Sequence, residues 1–148
     1  MATRSAIGIS HGGRVKAIYN HYDGYPEYTG LILHTCYGDS VAVNKLISMG
    51  DLSQLGTEIG TKHEFRAEPG YVGLGGVEVA SECTFYNRDR GEDTSWMSLE
   101  DSAHFTREYK NWGAEYFYLF RNDRWYVRSR GGRWRLLKRV LQDSAKTH

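Results

Sequence analysis

The densest group of side chains that could recognise a ligand lies in residues 19–28, where four tyrosines, a histidine and an aspartate follow closely on one another. Tyrosine is large, stiff and tipped with a hydroxyl, so such a group could clamp a nucleobase or a loop of a partner protein. In the structural alternative, Tyr19 and Tyr22 belong to the core, the aspartate caps the following turn that contains Gly and Pro, and the histidine hydrogen-bonds the loop. The candidate binding residues here are Tyr19, His21, Tyr22, Asp23 and Tyr25.

A second polar group follows a predicted strand, where residues 87–91 alternate arginine and aspartate. In a functional reading, Arg88 or Arg90 contacts a phosphate or carboxylate while Asp89 fixes the guanidinium. In the alternative reading, the same charges pair with one another and organise the loop. Because exposed ion pairs contribute only about 0–1 kcal/mol each, stability alone is a weak reason for so much charge in one loop.

Positive charge is concentrated at the C-terminal end. Residues 121–148 contain nine Lys or Arg and two Asp, although the whole chain carries a formal charge of only +1. Tryptophan and tyrosine are interleaved with these arginines, a combination that holds phosphates while stacking on bases. Alternatively, the arginines line a solvent-exposed face or cover the acidic remainder of the protein. The predicted polyanion-binding residues are Arg128, Arg130, Arg133, Arg135 and Arg139.

Signals for catalysis and for metal binding are weak. The six histidines show no metal-ligand spacing, and no nucleophile elbow or phosphate-binding loop occurs. We therefore expect no metal and no cofactor, and we lean against an enzyme. The remaining enzymatic hypothesis is a small enzyme acting on nucleotides or nucleic acid, with His21 as general base and Asp23 orienting it or binding a metal.

The elements that must position these groups indicate an α+β single domain over residues 1–142, with a frayed tail at 143–148. We expect an antiparallel sheet of about five strands with two or three helices on one face. Hairpins are predicted around the turns at 11–13 and 121–123, because Gly-Gly and Asn-Asp tolerate positive φ angles. A strand is predicted over 77–86 and a polar loop over 87–91. Residues 134–141 fit either a strand or a short helix.

Length and composition bound the class of protein. A chain of 148 residues with 14% aromatic residues fits one domain that can bury a core. No apolar run approaches the roughly 18 residues of a membrane span, and no apolar signal segment is present. Since two cysteines cannot form a disulfide framework, we expect a cytoplasmic protein. The aromatic content and two predicted edge strands make a homo-oligomer a further expectation.

Several segments resemble small bacteriophage and prophage proteins that carry no assigned reaction. The segment Tyr19-Asn20-His21-Tyr22-Asp23-Gly24-Tyr25-Pro26 matches their Tyr-x-His-aromatic-Asp-Gly-Tyr-Pro pattern. Residues 50–56, residues 85–92 and the aromatic stretch ending at 125–127 are similar to later segments of that group. The resemblance covers residues 1–128 and leaves the basic tail outside.

What the resemblance implies is a role in infection. Phage accessory proteins of this size act mostly by binding, either blocking a host protein or sequestering a nucleotide signal. We therefore expect a non-enzymatic, phage-encoded binding protein in the host bacterial cytoplasm that counters a host function, specifically bacterial immunity. Its partner would be a host defence protein or a nucleotide signal. A nucleic-acid-binding accessory protein that uses the basic tail is the second hypothesis.

Overall fold

The structure is a computed structural model that describes residues 2–146. It begins with the predicted hairpin, in which strand β1 (Ser5–His11) pairs antiparallel with strand β2 (Arg14–Asn20). Gly12 and Gly13 form the turn, with φ angles of +56° and +85°. Glycine adopts positive φ without steric cost, and positive φ at both turn positions suits the right-handed twist of the two strands. The turn therefore fixes the register of the hairpin.

The remaining strands are β3 (Leu52–Gln54), β4 (Tyr71–Leu74), β5 (Val77–Ala80), β6 (Thr84–Phe85), β7 (Met97–Leu99), β8 (Tyr116–Arg121), β9 (Arg124–Ser129) and β10 (Arg135–Leu136). Eight strands form one sheet in the order β10-β9-β8-β1-β2-β3-β6, with β7 paired to β2. The prediction of an antiparallel sheet with about five strands is wrong in two respects. The sheet has more strands, and it is mixed, because β1 is parallel to β8 and β2 is parallel to β3.

The helices are α1 (Leu31–Cys36), α2 (Ser40–Ser48), α3 (Tyr86–Arg90), α4 (Ser102–Asn111) and α5 (Leu137–Lys146), and a π-helical turn (Pro26–Gly30) precedes α1. The α+β class is thus confirmed. Asp39 caps α2 by accepting a hydrogen bond from the Ala42 amide, and Asp101 caps α4 by accepting one from the His104 amide. These caps fix where α2 and α4 leave the preceding loops.

Helices pack on both faces of the sheet, so the prediction of helices on one face is wrong. Ile7 and Ile9 pack in a core with α1, α2 and α5, whereas Ala6 packs on the opposite side with Phe105 and Tyr109 of α4. The reason is the position of β1: residues 5–9 are all buried, so β1 lies in the interior of the sheet and both of its faces need cover.

The segment predicted as one strand over residues 77–86 is divided between two sheets. β5 pairs with β4 in a separate hairpin, while β6 joins β3 at the end of the main sheet. The prediction of a polar loop over residues 87–91 is also wrong, because most of this segment belongs to helix α3. Gly91 ends this helix with φ +76°, the left-handed conformation that glycine supplies most readily.

The C-terminal region begins with the predicted second hairpin. Strands β8 and β9 are joined at Asn122 and Asp123, with φ angles of 51° and 61°. The segment 134–141, predicted as either a strand or a short helix, contains one of each. The two-residue strand β10 is followed directly by helix α5. Of the tail predicted to be frayed, residues 143–146 belong to α5, and 147–148 lie outside the described residues.

Two further features bear on partners. The strands at the two ends of the main sheet, β6 and β10, each contain only two residues, so pairing of copies along these edges would involve little backbone. Within residues 2–146, no helix has the length and apolar composition needed to cross a membrane.

Candidate functional site

The end of β2 carries the first predicted cluster and fixes it in place. The Tyr19 hydroxyl and His21 Nδ1 are hydrogen-bonded at 2.7 Å, and the His21 ring packs edge-on against Tyr22 with centroids 4.6 Å apart. Trp112, which directly follows α4, lies against Tyr19 at 5.6 Å between ring centroids. The Asp51 carboxylate accepts a hydrogen bond of 2.8 Å from the Tyr19 amide. The cluster therefore unites residues from β2 and the end of α4.

Strand β3 brings the second predicted cluster beside the first. The amide of Tyr22 donates to the Ser53 carbonyl at 3.0 Å, and the amide of Tyr86 donates to the Asp51 carbonyl at 3.2 Å. Tyr86 packs against Phe65 with centroids 5.4 Å apart, and the Arg90 guanidinium lies 5.0 Å from the Phe65 ring centroid. Both groups of rings border residues 51–53, and we call them together the aromatic surface: Tyr19, His21, Tyr22, Phe65, Tyr86 and Trp112.

Burial favours the uncharged forms of Tyr19, His21 and Tyr86 in the aromatic surface. Burial raises the pKa of Tyr19 to about 12, and burial also raises the pKa of Tyr86. Burial lowers the pKa of His21, and the nearby Arg4 guanidinium lowers it further. The lowered pKa favours the neutral form of His21. These three rings of the aromatic surface are thus favoured in their neutral, amphipathic forms.

Arg88 was predicted to contact an external anion, but its guanidinium is fully hydrogen-bonded to groups of the protein itself. Its Nε and Nη2 donate to the Asp89 carboxylate at 2.9 and 3.0 Å, Nη1 donates to the carbonyls of Ile59 and Gly60, and Nη2 also donates to the carbonyl of Cys83. All five N–H groups of a guanidinium are thereby used. This placement favours the structural alternative for residues 87–91.

Asp89 completes this interior arrangement. Its carboxylate is fully buried and also accepts hydrogen bonds from the amides of Phe85 and His63. Burial alone would raise the pKa of Asp89, but the hydrogen bonds from Arg88 and from these amides outweigh burial and lower it. Of the three predicted residues in this segment, only Arg90 lies outward, loosely paired with Glu92 at 3.6 Å.

Asp23 and Tyr25 hold the turn after β2. The Asp23 carboxylate accepts a hydrogen bond of 3.0 Å from Gln54, and its carbonyl accepts one of 2.7 Å from the Thr29 hydroxyl. Tyr25 is half-buried and packs edge-on against Tyr28 at 6.1 Å. The catalytic pair hypothesised from the sequence is not formed, because His21 is hydrogen-bonded to Tyr19 while Asp23 is bonded to Gln54.

The predicted polyanion-binding residues are divided between the two sides of the sheet. Arg128 and Arg130 line a cleft of about 220 Å³ together with Arg107 and Lys110 of α4. Arg133 and Arg135 line a different cleft, with Pro26 and Val140, and Arg135 pairs with Asp143 at 3.2 Å. Arg139 is exposed on α5. These five arginines therefore do not form one continuous basic band.

Sequence reasoning missed four residues that complete these surfaces. Trp112 and Phe65 lie far in the sequence from the tyrosines of residues 19–28, so residue type and spacing do not link them to that cluster. Arg107 and Lys110 carry a detectable signal, because a spacing of three residues places two side chains on the same side of a helix.

Comparisons of the chain with protein-family models, with curated proteins and with solved structures gave no match. The chain is thus described by its own fold, an α+β protein whose mixed sheet carries helices on both faces. Across residues 2–146, no group of three or more His, Cys, Asp or Glu side chains is arranged to hold a metal ion.

Proposed function

We propose that the chain is a non-enzymatic, phage-encoded binding protein that counters bacterial immunity by attaching to a host protein through the aromatic surface. The observation that carries this proposal is the exposure of two large rings on a fixed frame: Tyr22 is 46% exposed and Trp112 is 37% exposed. Tyrosine, tryptophan and arginine are the residues that most often dominate binding energy at protein interfaces.

The frame supports tight binding because the rings are held before a partner arrives. Tyr19 is fixed by its hydrogen bond to His21, and Trp112 contacts both Tyr19 and Tyr109, at 5.6 and 5.1 Å between centroids. Side chains that are already ordered lose less conformational entropy on binding. The arrangement suits a stable inhibitory complex.

The charge around the aromatic surface indicates the kind of partner. Arg4 donates to the Trp112 carbonyl at 3.2 Å, and Arg90 lies beside Phe65, so guanidinium groups flank the rings. A complementary host surface would offer an apolar pocket with an acidic rim, which steers association and fixes orientation.

A protein partner fits better than a captured nucleotide. Small ligands are held in enclosed sites of about 300–1,000 Å³ that bury most of the ligand. Three clefts of about 400–440 Å³ among the described residues are lined by side chains that lie outside the aromatic surface. Exposed rings on an open face are suited to a protein surface instead.

The test is quantitative affinity capture from a bacterial lysate with matched variants. We expect Trp112→Ala and Tyr22→Ala to lose a host protein that the unmodified chain retains, with affinity for the purified partner falling about 30-fold or more. Trp96→Ala is the control, because Trp96 is 38% exposed, packs under Lys16, and forms no ring contact with the aromatic surface among the described residues. Circular dichroism verifies that each variant is folded.

The binding results of the variants decide between two outcomes. Retention by the control together with loss by Trp112→Ala and Tyr22→Ala supports the proposal. Equal retention by all the variants, or loss with Trp96→Ala alone, would overturn it. The immune target itself is tested by infection: expression of the chain should raise phage plating on a defended host, and Trp112→Ala should abolish that gain.

A further inference from the structure

Four positively charged side chains line the cleft between α4 and β9. Arg107 and Lys110 come from α4, Arg128 from β9, and Arg130 from the loop that follows β9. In the described part of the chain, none of these four side chains forms an ion pair. Like charges repel one another when no counter-charge is close. The cleft therefore concentrates positive charge that a bound anion would neutralise.

One atom of this site is left without a partner inside the protein. The Nε of Arg128 is buried and, among residues 2–146, has no hydrogen-bond partner. A buried donor without a partner is rare in proteins, because its desolvation is not compensated. Arg130 differs from Arg128, because its Nη2 donates a hydrogen bond of 2.9 Å to the Lys110 carbonyl, which fixes its guanidinium at the edge of the cleft.

The size and lining of the cleft define the class of ligand. Its volume of about 220 Å³ is smaller than the roughly 300–1,000 Å³ of sites that enclose a whole drug-sized ligand. Phe117, which is buried, provides an apolar wall, and the surrounding cations supply the charge. Electrostatic attraction is stronger where water is partly excluded. These dimensions and charges suit a single phosphate group.

We propose that the α4–β9 cleft, formed by Arg107, Lys110, Arg128 and Arg130, is a binding site for one phosphate group. Two sources share this chemistry: inorganic phosphate, and one phosphodiester of a single-stranded nucleic acid. Arginine suits either source, because its planar fork matches phosphate geometry with two parallel hydrogen bonds. The site lies outside the aromatic surface and does not depend on the proposed host partner.

The test measures binding of two probes, sodium phosphate by calorimetry and a fluorescent oligothymidylate by anisotropy, at low ionic strength. We expect Arg107→Gln and Arg128→Gln each to weaken binding about tenfold or more, since a hydrogen bond to a charged group contributes about that factor. Arg133→Gln is the control: it removes the same charge from the cleft on the other side of the sheet. Arg107 is exposed, so its replacement tests the site even if Arg128→Gln folds poorly.

The two probes also distinguish the sources. Oligothymidylate binding that is much tighter than phosphate binding, and that weakens steeply with salt, assigns the site to a nucleic-acid backbone. Comparable affinity for both probes assigns it to free phosphate. The proposal is overturned if neither probe binds, or if Arg133→Gln weakens binding as much as Arg107→Gln does, because the attraction would then be diffuse.

Discussion

Arg88 and Arg128 are two arginines of one small protein in opposite situations. Arg88 uses all five of its N–H groups on the Asp89 carboxylate and on three backbone carbonyls, whereas Arg128 keeps a buried Nε with no partner among the described residues. The first guanidinium is a structural clamp. The second stands beside three further cations. An arginine indicates a ligand only when the fold leaves its donors unused.

The largest expected effect comes from breaking the clamp. Arg88→Met leaves the fully buried Asp89 carboxylate without its counter-charge, so we expect the free energy of unfolding to fall by about 3–5 kcal/mol. Urea denaturation measures the loss. Adding Asp89→Asn to the same chain should recover part of it, because the unpaired charge is then removed. A loss below about 1 kcal/mol for Arg88→Met would contradict the role of the clamp.

The clamp also predicts a pH dependence of stability. The pKa of Asp89 in the folded protein is lowered from 3.8, so its contribution to stability is present above that pH and is lost as the pH falls through the folded-state pKa. We expect Asp89→Asn to lack this acid-induced decrease. Denaturation series from neutral to strongly acidic pH measure it. Parallel curves for the two proteins would show that Asp89 is not the titrating group.

Replacing Arg128 should raise the free energy of unfolding, in contrast to replacing Arg88. Replacing it with methionine keeps much of its apolar stem but removes an unsatisfied buried donor and one of four adjacent charges. We expect Arg128→Met to raise the free energy of unfolding by about 1 kcal/mol at low salt without phosphate. Added phosphate should stabilise the unmodified protein more than the variant. Destabilisation by Arg128→Met in both conditions would indicate that the guanidinium has a structural role.

The smallest effect is expected at Arg90, which belongs to the same alternating segment as Arg88 but lies outward. Its pair with Glu92 is long and exposed, with the arginine side chain 51% accessible. We expect Arg90→Ala to change the free energy of unfolding by less than about 0.5 kcal/mol. The measurement is the same urea titration. A large loss would place Arg90 in the clamp as well.

The parts of the fold that were predictable from the sequence are those fixed by neighbouring residues. The two hairpins follow from Gly12-Gly13 and Asn122-Asp123, whose backbones adopt positive φ. Helix α3 could not be predicted in the same way, because its five residues are too few to show a period. The parallel pairing of β1 with β8 joins segments far apart in the chain and leaves no local signal.

The candidate site shows the same division. The aromatic residues at the end of β2 could be identified from their types alone. The roles of Arg88 and Asp89 could not, because the groups that occupy them include Ile59 and Gly60, nearly thirty residues earlier. Trp112 joined the aromatic surface only through the packing of α4 against β2. Local chemistry thus identified candidate residues, and tertiary contacts decided which of them are free to bind.

The most direct test of the aromatic surface as the proposed protein-binding site is native mass spectrometry of the chain purified after expression in bacteria. We expect a complex with one additional protein mass, present with Trp96→Ala and absent with Trp112→Ala. A nucleotide released on unfolding, with no additional protein, would contradict the protein-binding function and return the search to a small-molecule site.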